Sequence, residues 1–125
     1  AETMIVIAED KAEVRRMIRK LIEDIDGDIV ECSDGDEAIK AYETNQPDFV
    51  QLDINMQPLD GLTAAKEILS RHPEAKIIIV SQHQDDQTRE TALSIGILAF
   101  VGKDDLTPLR DLIIKKSGQS FSGKR

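Results

Sequence analysis

Four short apolar runs in this chain each end on side chains that can do chemistry. Met4 to Ala8 leads into Glu9 and Asp10, and Phe49 to Leu52 leads into Asp53, with Asn55 two residues on. Ile77 to Val80 leads into Ser81, and Leu98 to Val101 leads into Lys103. Carboxylates brought together repel one another unless a cation sits among them, and hard oxygen donors with room for water suit Mg²⁺. The set therefore predicts a divalent-cation site. Each residue also has a plainer role. Asp10, with Glu13 three positions on, reads as a helix capping box, which is compatible with ligating a metal. Ser81 alone is an ordinary loop hydroxyl and Lys103 alone a surface lysine. Asp53 has no helix of its own to cap, so it carries the functional reading most strongly.

The elements that must position these side chains follow from periodicity. After the first run, Val14, Met17, Ile18, Leu21, Ile22 and Ile25 recur at helical spacing, and Gly27 is placed to close that helix. Ile29 to Cys32 reads as a second strand. Asp34-Gly35-Asp36-Glu37 is a cap-like start to a helix with Ala38, Ala41 and Tyr42 inward, ended by Pro47. Phe49 to Leu52 is the third strand, Leu62 to Arg71 a helix stopped by Pro73, and Ile77 to Val80 the fourth strand. Thr88 to Ile95 is a helix ended by Gly96, Leu98 to Val101 the fifth strand, and Leu106 to Lys115 the last helix. Strands alternating with helices predict an α/β doubly wound (βα)5 sandwich with a five-stranded parallel sheet covered on both faces. Such sheets place ligands at the carboxyl ends of their strands. Gln51 is polar inside an apolar strand and has no assigned role beyond a buried hydrogen bond.

Composition narrows the classes. The chain has 125 residues, 40% hydrophobic and 32% charged, with 24 Asp and Glu against 16 Lys and Arg and a net charge of −8. One domain is expected, residues 1–116, with Ser117 to Arg125 a flexible tail or linker. The acidic balance disfavours direct nucleic-acid binding, which rests on clustered cations. The one basic cluster, Arg15-Arg16 with Arg19-Lys20, reads as a solvated helix face. A single cysteine, Cys32, excludes an internal disulfide, fits a reducing compartment and reads as a core residue. No apolar run approaches the ~18 residues of a membrane span, and no basic-then-apolar leader opens the chain. A cytoplasmic location without membrane contact is expected.

Taken in order, Glu9-Asp10, the segment Leu52-Asp53-Ile54-Asn55-Met56 leading to Asp60-Gly61, Ser81, Phe100 and Lys103 resemble the receiver domain of bacterial two-component response regulators. The resemblance runs from about Met4 to Lys116. It implies a flavodoxin-like, CheY-like fold with strand order 2-1-3-4-5. It also implies that Asp53 accepts a phosphoryl group from a sensor histidine kinase, with Mg²⁺ as cofactor. Asp10, Asp53 and the Asn55 backbone carbonyl would be the ligands, with Glu9 acting through a water. Lys103 and Ser81 would contact the phosphoryl group, and Ser81 and Phe100 would form the switch. Such a domain signals rather than turning over a substrate, its own chemistry being self-phosphorylation and autodephosphorylation. Its output face would be the fourth helix, fifth strand and fifth helix, about Thr88 to Lys116, used for a phosphorylation-dependent homodimer, a protein partner or transcriptional control. Lys103-Asp104 resembles receivers joined to a LuxR-type helix-turn-helix output domain, which would lie beyond residue 116.

Some positions depart from that pattern. The usual Met-Pro becomes Met56-Gln57-Pro58, the small residue after the switch hydroxyl is Gln82, and Asp104 stands where many receivers have proline. His83 reads as a solvated loop histidine at a position where the family tunes phosphoryl loss, and His72 as a favourable charge at a helix end. The rival reading, a Mg²⁺-dependent aspartyl-phosphate-type phosphatase, would need a second Asp where Asn55 stands. A flavin or nucleotide carrier would need a phosphate cradle after the first strand, where Glu9-Asp10-Lys11 stands instead.

Overall fold

The computed structural model describes residues 3–25 and 27–117. Five strands alternate with five helices: β1 Thr3–Ala8, α1 Ala12–Ile22, β2 Gly27–Cys32, α2 Gly35–Asn45, β3 Phe49–Asp53, α3 Gly61–Arg71, β4 Ile77–Ser81, α4 Asp86–Ser94, β5 Ala99–Gly102 and α5 Thr107–Ser117. The sheet runs β2-β1-β3-β4-β5 and every pairing is parallel, the doubly wound order expected. In register, Ala8 lies opposite both Cys32 and Leu52, Asp53 opposite Val80, and Ser81 opposite Gly102. The carboxyl ends of the strands therefore form one edge.

Alternation along the strands splits the core in two, because successive strand residues point to opposite faces. Val6, Ala8, Val50, Leu52, Ile77 and Ile79 join Ala38, Tyr42, Ala64, Ala65, Ile68 and Ala92 of α2, α3 and α4. Ile5, Ile7, Phe49, Ile78, Val80 and Val101 join Ile18, Ile22, Leu109 and Ile113 of α1 and α5. Both faces are covered, which is why these strands read as near-continuous apolar runs.

Helix starts follow side-chain caps. Asp34 accepts from the Glu37 amide at 2.9 Å, Asp60 from the Thr63 amide at 2.7 Å, and Asp85 from the Thr88 amide at 3.1 Å. The last cap begins α4 at Asp86, two residues earlier than its periodicity predicts. Gly27 is a correction: α1 ends at Ile22, and Gly27 opens β2 at φ 151. A Cβ there would sit 1.7 Å from the Thr3 carbonyl oxygen, so the glycine admits β2 beside β1 instead of closing a helix. Met17 was expected on the buried stripe of α1 but is 51% exposed, since Ile18 and Ile22 make the contact with the sheet. Helix α5 takes in Ser117, one residue past the expected boundary, and the rest of the expected tail, 118–125, lies outside the described residues. Among the described residues no helix is long and apolar enough to cross a membrane.

Candidate functional site

Glu9 and Asp10 follow β1 directly, and the chain there is pinned at several points. The Glu9 amide donates to the Cys32 carbonyl at 3.1 Å, its carbonyl accepts from Arg15 Nη1 at 2.6 Å, and its Oε2 accepts from the Lys11 amide at 3.0 Å. The capping box expected of Asp10 does not form. Helix α1 has Lys11 as its N-cap residue with no side-chain cap, so Asp10 lies one position before the cap, and the Lys11 amide donates to the Glu9 carboxylate. Asp10 is left exposed at the mouth of the site.

Asp53 ends β3 fully inside the fold, and Glu9 is buried with 0% exposure. One carboxylate oxygen from each of Glu9, Asp10 and Asp53 lies within 4.8 Å of the others. Lys103, after β5, brings its Nζ to 3.0 Å from Asp53 Oδ1 and 3.2 Å from Glu9 Oε1. At those distances it is an ion-pair partner of both, yet neither oxygen receives a well-aligned hydrogen bond. One ammonium thus serves two buried carboxylates incompletely. Burial pushes the Asp53 carboxyl above its ordinary range, Lys103 pulls it back, and the Asp10 charge pushes it up again. Burial likewise raises Glu9, opposed by the Lys11 amide and reinforced by Asp53. Burial alone would lower Lys103, but contact with Asp53 and the charges of Asp53 and Glu9 hold it raised. Buried carboxylate oxygens without directed donors, three acidic ligands and a single compensating cation are the donor chemistry that a hard divalent ion completes.

Ser81 ends β4 with no exposure, and its hydroxyl is already engaged. It accepts from the His83 amide at 2.9 Å and donates to the His83 carbonyl at 3.0 Å, while the Ser81 carbonyl accepts from the Lys103 amide at 2.9 Å. His83 thus works through its backbone, with its side chain exposed as the loop reading expects. Gln84 Nε2 donates to Asp104 Oδ1 at 3.1 Å, tying the loop after β4 to the loop after β5. Phe100 is buried, with the Arg89 guanidinium 5.3 Å above its ring. Asn55 and Gln82 are exposed, and the Gln57-Pro58 peptide is cis. Gly61 lets α3 approach β3, since a Cβ there would come within 2.2 Å of the Asp53 carbonyl oxygen.

Two features escaped the sequence. The basic cluster of α1 is not simply a solvated face: Arg15 Nε lies 3.1 Å from Glu31 Oε1 and Arg19 Nη1 2.5 Å from Glu31 Oε2. A charged residue inside the short second strand was the available signal. Gln51 is buried with neither amide atom hydrogen-bonded, so the expected buried bond is not made. Cys32 is a core residue as read, burial pushing its thiol up to about 11. His72 caps the C-terminal end of α3, its Nε2 2.9 Å from Glu43 Oε2 and its ring 4.8 Å from that of Tyr42.

Known proteins share this chain's sequence pattern and fold. The chain is 35% identical over 100 residues to the chemotaxis protein CheY of Listeria monocytogenes, covering 79% of this chain and 84% of that one. It is 32% identical over 117 residues to the transcriptional regulatory protein PdtaR of Mycobacterium tuberculosis, covering 90% of this chain but 57% of that one. A crystal structure of a DNA-binding response regulator of the LuxR family from Staphylococcus aureus superposes with a TM-score of 0.82 at 32% identity, covering 90% of this chain and 97% of that one. The response regulator receiver domain family matches residues 5–114, a span that holds every strand end described above. With its acidic edge, its lysine and its 2-1-3-4-5 sheet, the chain belongs to the response regulator receiver domain family of two-component systems.

Proposed function

We propose that Asp53 is the phospho-acceptor of this receiver and that a sensor histidine kinase is the donor. The observation that carries the reading is the convergence of the Glu9, Asp10 and Asp53 oxygens within 4.8 Å, with Lys103 Nζ 3.0 Å from Asp53. An Asp53 carboxylate oxygen attacks the phosphorus, the phosphorus-nitrogen bond of the phosphohistidine breaks, and the imidazole nitrogen leaves with the bonding pair. Lys103 stands where it offsets charge on the transferring oxygens, and burial of Asp53 keeps competing solvent away. Asp10, Asp53 and the Asn55 main-chain carbonyl, with Glu9 through a water, would hold Mg²⁺, which supplies further charge neutralisation when bound.

The Ser81 hydroxyl leaves His83 for a phosphoryl oxygen, drawing the loop after β4 inward and freeing Phe100 to turn into the vacated space. The surface of α4, β5 and α5 is then the output face. It controls a homodimer, a protein partner or an output domain beyond residue 116, for which a LuxR-type helix-turn-helix module is the form supported by the Staphylococcus aureus likeness.

The acceptor assignment is tested by incubation with acetyl phosphate and Mg²⁺ followed by intact-mass measurement. Wild type should gain one phosphoryl group that is stable in acid and labile in base, and Asp53→Asn should gain none. Equal labelling of the two would overturn it.

A further inference from the structure

Repulsion within an acidic site must be resisted by the backbone that carries it, and here the first acidic segment leans on a residue outside the site. Arg15, one turn into α1, donates from Nη1 to the Glu9 carbonyl at 2.6 Å while its Nε lies 3.1 Å from Glu31 Oε1 on β2. A charge-assisted bond this short is stronger than an ordinary one, and a guanidinium can hold two acceptors at a fixed angle where an ammonium cannot. The bonded carbonyl belongs to the peptide that joins Glu9 to Asp10. We infer that Arg15 is a positioning residue for the acidic pocket: anchored on Glu31, it clamps the Glu9-Asp10 peptide and so fixes the direction in which both carboxylates are presented.

The inference rests on the site reading above, to which it adds a residue that touches none of the reacting atoms. Three other anchors fail to do the same job. The Cys32 carbonyl holds the Glu9 amide, the Lys11 amide holds the Glu9 carboxylate, and Lys103 holds the far oxygen. None of them restrains the Glu9 carbonyl, whose peptide plane runs directly from the residue with the buried carboxylate to the residue with the exposed one. Arg19 provides an internal control. Its Nη1 also reaches Glu31, at 2.5 Å, so it ties α1 to β2 just as Arg15 does, but it makes no contact with Glu9.

The test compares wild type with Arg15→Ala, Arg15→Lys and Arg19→Ala in two readouts. Without metal, amide exchange at Asp10 and Lys11 should speed up about tenfold in Arg15→Ala and stay within about twofold of wild type in Arg19→Ala. With Mn²⁺ followed by electron paramagnetic resonance, Arg15→Ala should bind about tenfold more weakly, the low end for loss of a group that orients a ligand. Arg15→Lys should fall between the two, which keeps the test open if the alanine variant folds poorly. Unchanged exchange at Asp10 and Lys11 in the Arg15 variants, or equal weakening in Arg15→Ala and Arg19→Ala, would overturn the clamp. Failure of wild type itself to bind Mn²⁺ would overturn the site reading instead, and the exchange arm would still decide the clamp.

Discussion

Helices α3 and α4 lie on the same face of the sheet and are held to it in opposite ways. α3 buries Gly61, Ala64, Ala65 and Ile68, with Leu62 and Leu69 packed alongside, and Gly61 seats its first turn directly on the Asp53 backbone. α4 buries Ala92 alone, and its one large apolar side chain, Leu93, is 42% exposed. What holds the α4 region is largely polar: Ser81 on the His83 backbone, Gln84 on Asp104, and Arg89 over Phe100. Burying a large aliphatic side chain contributes roughly 1.5–3 kcal/mol, whereas such polar ties contribute about 1 kcal/mol each or less. The lesson is physical. On the proposed function, a new anion at Asp53 would have to compete with a packed isoleucine to move α3 but only with one serine hydroxyl to move the loop before α4, so the response is expected in the polar-tied helix.

The largest expected effect separates the two helices by stability. Ile68→Ala should cost about 2–5 kcal/mol in urea unfolding, because Ile68 is buried between α3 and the sheet. Leu93→Ala should stay within about 0.5 kcal/mol. Comparable losses in the two variants would erase the difference between the helices.

Next comes the coupling. Ser81→Ala should still be labelled by acetyl phosphate, yet phosphorylation should no longer change self-association or partner binding. The coupling lost is about 1–3 kcal/mol, read from dimer dissociation constants with and without beryllofluoride. Retained coupling would move the switch away from Ser81.

The smallest effect concerns the far flank of α1 and β2, held by the Arg15 and Arg19 pairs to Glu31. Hydrogen bonding from Arg19, and then from Arg15, holds the Glu31 carboxyl below its ordinary value of 4.5. A carboxyl lowered in the folded state adds stability that is complete above its unfolded value and is lost as pH falls through the lower folded value. Glu31 is partly solvated, so the amount is below about 1 kcal/mol. Glu31→Gln should therefore flatten the acid side of the stability profile below about pH 4.5 and leave neutral-pH response to beryllofluoride in α4 unchanged.

The fold was legible where local pattern and tertiary demand coincide. Strands covered on both faces must be largely apolar, so β1, β3, β4 and β5 could be placed within a residue or two and the acidic edge followed from what ends them, while the exposed edge strand β2 was placed from its short Ile29 to Cys32 run. Gly27 misled because a glycine after a helical stripe looks like a stop, while its real constraint, the Thr3 backbone, belongs to a strand far away in sequence. Asp10 misled because the cap pattern was present one residue too early: the helix takes Lys11 as its N-cap, leaving Asp10 outside it. The Arg15 link to Glu9 and the resting bond of Ser81 to His83 involve main-chain atoms, which no pattern of residue types records.

The central claim, that charge at Asp53 is read by the polar-tied helix through Ser81, is tested most directly by amide exchange on the whole domain with and without beryllofluoride and Mg²⁺. In wild type, exchange should change across the loop after β4, α4 and β5, residues 82–102, and stay unaltered in α3, residues 61–71. In Ser81→Ala the change over 82–102 should be largely lost. Equal changes in α3 and α4, or an identical response in wild type and Ser81→Ala, would contradict it.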